Sequence, residues 1–455
     1  MVMTQSCACH TVALFVGLVC GEGYHALRQR LRAWCYDAAD KKGLSRQEID
    51  VTGSFAPLLA WVMRLWQGPQ VALALDATHL GDRFIVLTIS VVYRGCALPV
   101  AWKVLPAQET HAWRREWLRL LRLLRPAIPS DRTVLVLADR GLYARWLFHR
   151  IVRLGWHPFP RRTTAGTFQA AGRTRAVPLR EFVPPTGTTW RGAGQAFRAE
   201  HCRLACTLVA CWDAGYTAPW FILTDLPPAA CTASWYGVRT WIEQGFKVIK
   251  RGGWPWQHTR MTDPARAERL WLALAVATLW VVSTGDAVEQ DLERPVISDL
   301  SPHAPTARPR ARLTRLFRLG QLALLAAAVT GRPLPPPTPS PSCRCPLRLT
   351  SPSLAPSCRS ATPTHERPPP LLRPLSRTRS PGLAAAIVAD ARTARARVPI
   401  HANTLRVDRR THSDVFGAFT LTVRLTSVLV ARIHKVARTT LSNGQRRVRR
   451  PGRAV

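Results

Sequence analysis

The sequence predicts an α/β fold, a mixed sheet with helices on both faces, and three observations predict it. Four apolar runs rich in β-branched residues read as buried strands: VALALD (71–76), FIVLTISVVY (84–93), CALPVAWKVL (96–105) and TVLVLAD (133–139). Two segments with apolar residues three and four apart, 111–125 and 142–154, read as amphipathic helices. The order of these elements, three adjacent strands and then alternation of helix and strand, is that of a mixed sheet covered by helices.

The remaining elements follow in chain order. Residues 24–39 and 54–67 read as amphipathic helices of a small leading segment, 1–68, of the size expected for a truncated DNA-binding domain. Arg94-Gly95 is the turn between the second and third strands, and Pro126 ends the helix that follows them. Trp156 to Pro160 reads as a short strand. Residues 163–225, rich in Thr and Gly with alternating stretches, read as a mainly β insertion. The sheet core is therefore expected in two pieces, 69–162 and 226–285, the second carrying helices at 235–250 and 264–283. A helical stretch is expected within 286–331, represented at best by 312–330.

Residues 332–455 read differently. All 17 tryptophans lie at or before Trp280, and 331–455 holds no Trp, no Tyr and one Lys. From Pro333 to Pro381 the chain is rich in Pro, Ser and Arg, a composition that buries too little apolar surface to order itself. A disordered, dispensable tail is expected. Its Pro, Arg, Ala, Ser and Thr content is also what an out-of-frame reading of a GC-rich gene produces, so a frameshifted extension is one reading. A natural basic arm is the other.

Charge narrows the function. The chain of 455 residues has a formal net charge of +37 and a pI of about 11.4. A globular chain that basic is expected to meet a polyanion, with nucleic acid the first candidate. No membrane role is expected: the apolar run Leu270–Val282 is too short to span a bilayer. Val12–Cys20 lacks the basic segment of a secretory signal, so an intracellular protein is expected. Cys202, Cys206 and Cys211 lack the paired spacing of a zinc site and alternate across a strand, which argues against zinc.

One stretch carries unusual chemistry. In WYGVRTWIEQGFKVIKRGGWPW (235–256), a helical wheel at about 100° per residue puts Tyr236, Arg239, Glu243 and Lys250 within about 60° of one another. Val238, Trp241, Ile242, Gly245, Val248 and Ile249 take the opposite, apolar face. Taken alone, the polar face also fits a solvated surface with ion pairs.

Two aspartates decide between these readings. Asp76 ends VALALD and Asp139 ends TVLVLAD, and carboxyl ends of sheet strands are where α/β proteins place their sites. An Asp after five apolar residues is costly to bury unless it binds something, although either can also cap a turn. With Glu243 they supply three hard oxygen ligands, which suit Mg²⁺ or Mn²⁺. Two such ions against three carboxylates leave a single positive charge, matched by one phosphodiester. A metal pair about 4 Å apart activates the attacking oxygen and stabilises the leaving one. Arg239, Lys250 and Tyr236 are then the expected contacts to neighbouring DNA phosphates. His79 is a turn residue in this reading.

The spacing Tyr236-x2-Arg239-x3-Glu243-x6-Lys250 resembles the YREK signature of bacterial insertion-sequence transposases, insertion-sequence family four. DATHL around Asp76 and ADRGLY around Asp139 resemble that family's first and second aspartate motifs, and the resemblance covers roughly 24–330. It implies a DDE transposase with a ribonuclease-H-like core interrupted by a β insertion before the glutamate helix. It also implies two Mg²⁺ or Mn²⁺ ions held by Asp76, Asp139 and Glu243, with double-stranded DNA, both transposon ends and target, as partner. The implied active form is a homodimer in the bacterial cytoplasm, at the nucleoid when bound to DNA. Metal-bound water cuts a transposon end, and the freed 3′-hydroxyl attacks the target. Some members pass through a DNA hairpin with an aromatic side chain stacked on a displaced base, for which Trp212 and Trp220 are the candidates. The short leading segment and the atypical tail depart from the family. They leave open a defective DNA-binding remnant as the alternative, and a stand-alone nuclease as a third reading.

Overall fold

A computed structural model describes residues 1–336, apart from 43–45, 65, 67, 110–112, 185–186, 198–199, 214–215 and 293–314. The expected tail from 337 onward lies outside the described residues. Residues 332–336 lie on the core: Trp280 donates its indole N–H to the Pro335 carbonyl at 2.8 Å, and Leu334 packs against the buried cluster.

The sheet is mixed, as the apolar runs predict. Strands β1 (Gln70–Leu80), β2 (Phe84–Tyr93) and β3 (Cys96–Pro106) form an antiparallel meander. β4 (Thr133–Ala138) pairs parallel with β1, and β5 (His157–Arg162) parallel with β4. The order of this half is β3-β2-β1-β4-β5. Every residue of β2 is buried, which explains why its sequence is a continuous apolar run rather than an alternating one: both its faces are covered.

The parallel connections are made by α4 (Trp113–Leu124), which leads from β3 to β4, and α5 (Arg145–Arg153), which leads from β4 to β5. The leading segment holds α1 (Cys9–Cys20), α2 (Tyr24–Trp34) and α3 (Phe55–Arg64). Helix α1 departs from the expectation for this stretch, which sequence patterning left without structure. It is apolar on nearly every side and leaves Leu14 and Leu18 exposed, so it has no amphipathic period to read.

Beyond β5 the chain forms β6 (Thr167–Ala170), β7 (Val177–Pro178), β8 (Thr188–Ala196), β9 (Leu204–Trp212) and β10 (Trp220–Thr224). β10 pairs antiparallel with β5 through Phe221–Arg162 and Ile222–Arg161, so these strands extend the same sheet to ten. They also carry their own apolar cluster around Phe168, Phe182, Leu208 and Phe221. Cys206 and Cys211 are buried in β9, and Cys202 sits in the turn before it.

The tryptophans serve the main core. Trp102, Trp117, Trp254, Trp256 and Trp271 are among the largest fully buried side chains. Phe55, Trp102, Trp271, Trp256 and Phe84 form a continuous aromatic column with ring centroids 4.8–6.2 Å apart. This column packs β2 and β3 on the long helix α8 (Pro264–Leu292). By length and composition α8 could cross a membrane, but in this fold two thirds of its apolar stretch (67%) is buried. α8 meets α9 (Leu316–Thr330) glycine to glycine: a Cβ on Gly285 or on Gly320 would fall within about 2 Å of the other helix's backbone oxygen, so only glycine fits either position.

Candidate active site

The helical stretch read from 235–250 is present but not as one regular helix. It runs as α6 (Ser234–Gly237), a 3-10 turn (Val238–Thr240), α7 (Trp241–Lys247) and a π turn (Val248–Gly252). A tighter turn and then a wider one absorb the packing of both faces, which the uniform wheel cannot represent. Nor is the polar face an outer one: Tyr236 and Arg239 are buried and Lys250 is half-buried, because this face lies over the strand ends. Gly245 allows the close approach. A Cβ there would stand 3.0 Å from the Ala97 Cβ on β3.

The strand ends also differ in detail from the sequence reading. Asp139 follows the last residue of β4, and its carboxylate accepts from the Arg140 backbone N–H as the cap of a short turn. Asp76 does not end its strand. β1 continues to Leu80 because Ala77–Leu80 keep their antiparallel partners on β2. What stops at Asp76 is the parallel pairing with β4, whose last rung is Leu75–Ala138. Asp76 and Asp139 are therefore the next residues beyond that rung on two adjacent strands.

Glu243, in the first turn of α7, completes the set, and all three carboxylates share one cation. Arg239 Nη2 donates to Asp76 Oδ2 at 2.8 Å and lies 3.3 Å from Asp139 Oδ2, while Nη1 donates to Glu243 Oε1 at 3.3 Å. The Arg239 side chain is 9% exposed, against 17% for Asp76, 40% for Asp139 and 52% for Glu243. The cluster is thus dry at Asp76 and wet at Glu243. Burial pushes the Asp76 carboxyl up to about 6, opposed by Arg239 and by the Ala77 N–H. The neighbouring carboxylates, Asp139 and Glu243, push it the same way as burial.

The remaining sequence-predicted residues take these places. Tyr236 donates its hydroxyl to the Ala138 carbonyl at 3.3 Å, and burial raises its pKa. Its phenol therefore braces the end of β4 from within. Lys250 Nζ donates to Thr78 Oγ1 at 2.7 Å and to the His79 carbonyl at 3.1 Å. Burial, and then Arg251, lower its pKa. Trp220 is buried, edge-on to Tyr236 at 5.4 Å and to Tyr216 at 4.7 Å. Trp212 is half-buried, with its indole N–H on the Tyr216 carbonyl. Sequence reasoning missed Thr78. Its signal was its place two residues after Asp76, on the same face of β1.

As a donor set the three carboxylates are all-oxygen, single-site and charge-demanding, which fits hard divalent cations. Among the described residues no group of three His, Cys, Asp or Glu side chains is arranged so that it could hold a metal ion. The positive charge the carboxylates share here is that of Arg239.

The strand order and this meeting of two strand-end aspartates with a helix glutamate define the ribonuclease-H-like class. Within it, residues 82–280 match the family model described as the transposase DDE domain, which supports a DDE transposase. The matched stretch contains Asp139 and Glu243 and begins after Asp76. None of the curated proteins compared matches the chain. Among solved structures the chain is similar to a piggyBac transposase synaptic complex with hairpin DNA, at 10% identity and a TM-score of 0.27, over 52% of this chain and 59% of that one.

Proposed function

We propose that this chain cuts the ends of a DNA transposon and joins the exposed 3′-hydroxyl to target DNA. The observation that supports it is the convergence of Asp76, Asp139 and Glu243 on one buried guanidinium. In this reading Asp76, Asp139 and Glu243 would hold two Mg²⁺ or Mn²⁺ ions, which would supply a nucleophile at neutral pH and charge stabilisation for the leaving oxygen. The chain's own residues do the rest. Arg239, already at the carboxylates, turns to a DNA phosphate when other cations take its place. Lys250 offers a point charge to the next phosphate, from a position set by Thr78 and the His79 carbonyl. Tyr236 holds the end of β4 through the Ala138 carbonyl so that Asp139 keeps its direction, and its hydroxyl becomes the third phosphate contact on leaving that carbonyl. Trp212 and Trp220 are the aromatic candidates for a base displaced at a hairpin. The working unit in this reading is a homodimer on double-stranded DNA in the bacterial cytoplasm, from an element of the YREK-signature group.

The test is cleavage and strand transfer on duplex DNA carrying the element's own ends, with and without Mg²⁺. Asp76→Asn, Asp139→Asn and Glu243→Gln should each nearly abolish cleavage and leave DNA binding intact or tighter. Undiminished cleavage by Glu243→Gln would refute the assignment. Binding without cleavage by the wild-type chain would point to a defective remnant.

A further inference from the structure

Helices α4 and α5 lie side by side on the sheet, and each turns a basic stripe toward the other. In α4, Arg114, Leu118 and Arg122 are four residues apart and share one face, while Trp117, Leu120, Leu121 and Leu124 are buried in the core. In α5, Arg145, His149 and Arg153 are likewise four apart, with Trp146 and Arg150 beside them, while Leu147, Phe148 and Ile151 are buried. The facing stripes line a cleft of about 360 Å³. Five guanidinium groups line it and no carboxylate does.

Three arginines elsewhere in the fold are held by acidic partners, Arg239 by three, Arg94 and Arg269 by two each. Among the described residues no such ion pair involves the five arginines of the cleft. Arg114 lies over the Trp146 ring at 5.5 Å, and Arg150 Nε is buried with no hydrogen-bond partner. Burial, and then Arg145 and Arg153, lower the pKa of His149, which disfavours a further positive charge in the cleft. A solvated charged face mixes signs or spreads its charges outward. This one gathers a single sign into a concave surface with an aromatic wall, an arrangement that a polyanion stabilises.

Its extent and position choose the polyanion. Arg145 to Arg153 spans about 12 Å at about 1.5 Å per residue, which measured along a duplex axis covers about three phosphates of one strand at about 3.4 Å of rise each. Arg145 follows Asp139 after the turn Arg140–Leu142, so the cleft starts at the carboxylate end of β4 and leads away from it. We propose that the α4–α5 cleft grips the phosphodiester backbone of duplex DNA beyond the scissile phosphate, as a second contact surface separate from the carboxylate cluster. The inference rests on the reading that this chain acts on DNA, but not on its catalytic part.

The test uses the full chain and the double variant Arg122→Gln/Arg153→Gln. Both residues are exposed, and Gln keeps the helix propensity. Binding to a fluorescent duplex of random sequence is measured across a salt series without divalent ions. The slope of log K against log salt should fall by about 0.9 for each lost contact, equally for unrelated sequences, and Arg122→Lys/Arg153→Lys should restore it. An unchanged slope and affinity in the Gln variant, with its fold intact by circular dichroism, would overturn the proposal. So would competition by inorganic tripolyphosphate that depends on Arg122 and Arg153 while the DNA slope stays fixed, since the cleft would then be a free-polyphosphate site. Cleavage is scored separately with Mg²⁺. A chain that binds through the cleft and never cuts leaves this surface standing and removes the catalytic reading.

Discussion

Arg239 and Asp76, 163 positions apart in the chain, form a 2.8 Å ion pair at the end of the parallel ladder. The pair is the driest part of a cluster in which one guanidinium serves three carboxylates. Such an arginine is both a structural counter-ion and a competitor for any divalent cation.

Removing it should separate the two roles. Arg239→Ala leaves the buried Asp76 without its partner and should cost about 3 kcal/mol of stability without metal, the low end for a broken buried pair because Asp139 and Glu243 stay partly hydrated. The same variant should bind Mn²⁺ more tightly than the wild type, read as a larger rise in melting temperature on adding Mn²⁺. Equal shifts in both proteins would show that Arg239 does not compete at the carboxylates. If Arg239 also reaches DNA, the salt slope should drop by about one unit with no change in sequence preference.

The raised Asp76 pKa sets a pH window for stability. Because burial holds the folded carboxyl at about 6, above its unfolded value of 3.8, the protonated form favours the fold. That contribution is fully present below about pH 3.8 and is lost as pH rises through about 6. Asp76→Asn does not titrate. Without metal, the melting temperature of the wild type relative to this variant should therefore decline from about pH 4 to pH 6.5 and level off above. A difference that grows across this range would mean that Arg239, not burial, dominates at Asp76.

A second buried ion cluster ties the sheet to α8. Arg94, in the β2–β3 turn with a positive φ of 42°, reaches Asp286 and Glu289 at 2.6 Å each, and Asp286 is fully buried. Arg94→Ala should cost about 3–5 kcal/mol by leaving that carboxylate uncompensated. Adding Asp286→Asn should recover part of the loss. Chemical denaturation of both variants checks this, and a loss under about 1 kcal/mol for Arg94→Ala would argue against the cluster's importance.

Truncation after Pro341 should leave the folded core unchanged. It retains Leu334, which packs against the core, and the Pro335 carbonyl that accepts from Trp280 of α8. The melting temperature and protease-resistant fragment should match those of the full chain, whereas DNA affinity should fall with the 22 Lys and Arg lost from beyond residue 341, against 4 Asp and Glu. Unfolding of the truncated chain would show that the tail supports the core.

Much of the fold was legible because its signals are local. Buried strands such as β2 and β4 declare themselves as short runs of β-branched residues, and α4 and α5 by apolar residues three and four apart. That the two aspartates could converge with Glu243 was read from their places directly after apolar runs, but the parallel pairing of β1 with β4 that sets them side by side was not. The same locality explains the errors. Nothing in DATHL shows that β1 outlasts its pairing with β4, because the partner that prolongs it, β2, lies further along the chain. Nothing in 235–250 shows where the turn tightens to 3-10 or widens to π, because both faces are set by neighbours.

The sequence by itself determined which apolar runs are buried, in what order the strands come, and which side chains can carry charge or bind a cation. The tertiary structure alone decided partnership: that Arg239 joins all three carboxylates, that Tyr236 turns inward to the Ala138 carbonyl, and that the arginines of α4 and α5 face one another. The physical reason is that hydrophobic patterning acts over a few residues of chain, whereas an ion pair is chosen by what folding brings within about 4 Å, however far apart the two groups lie in sequence.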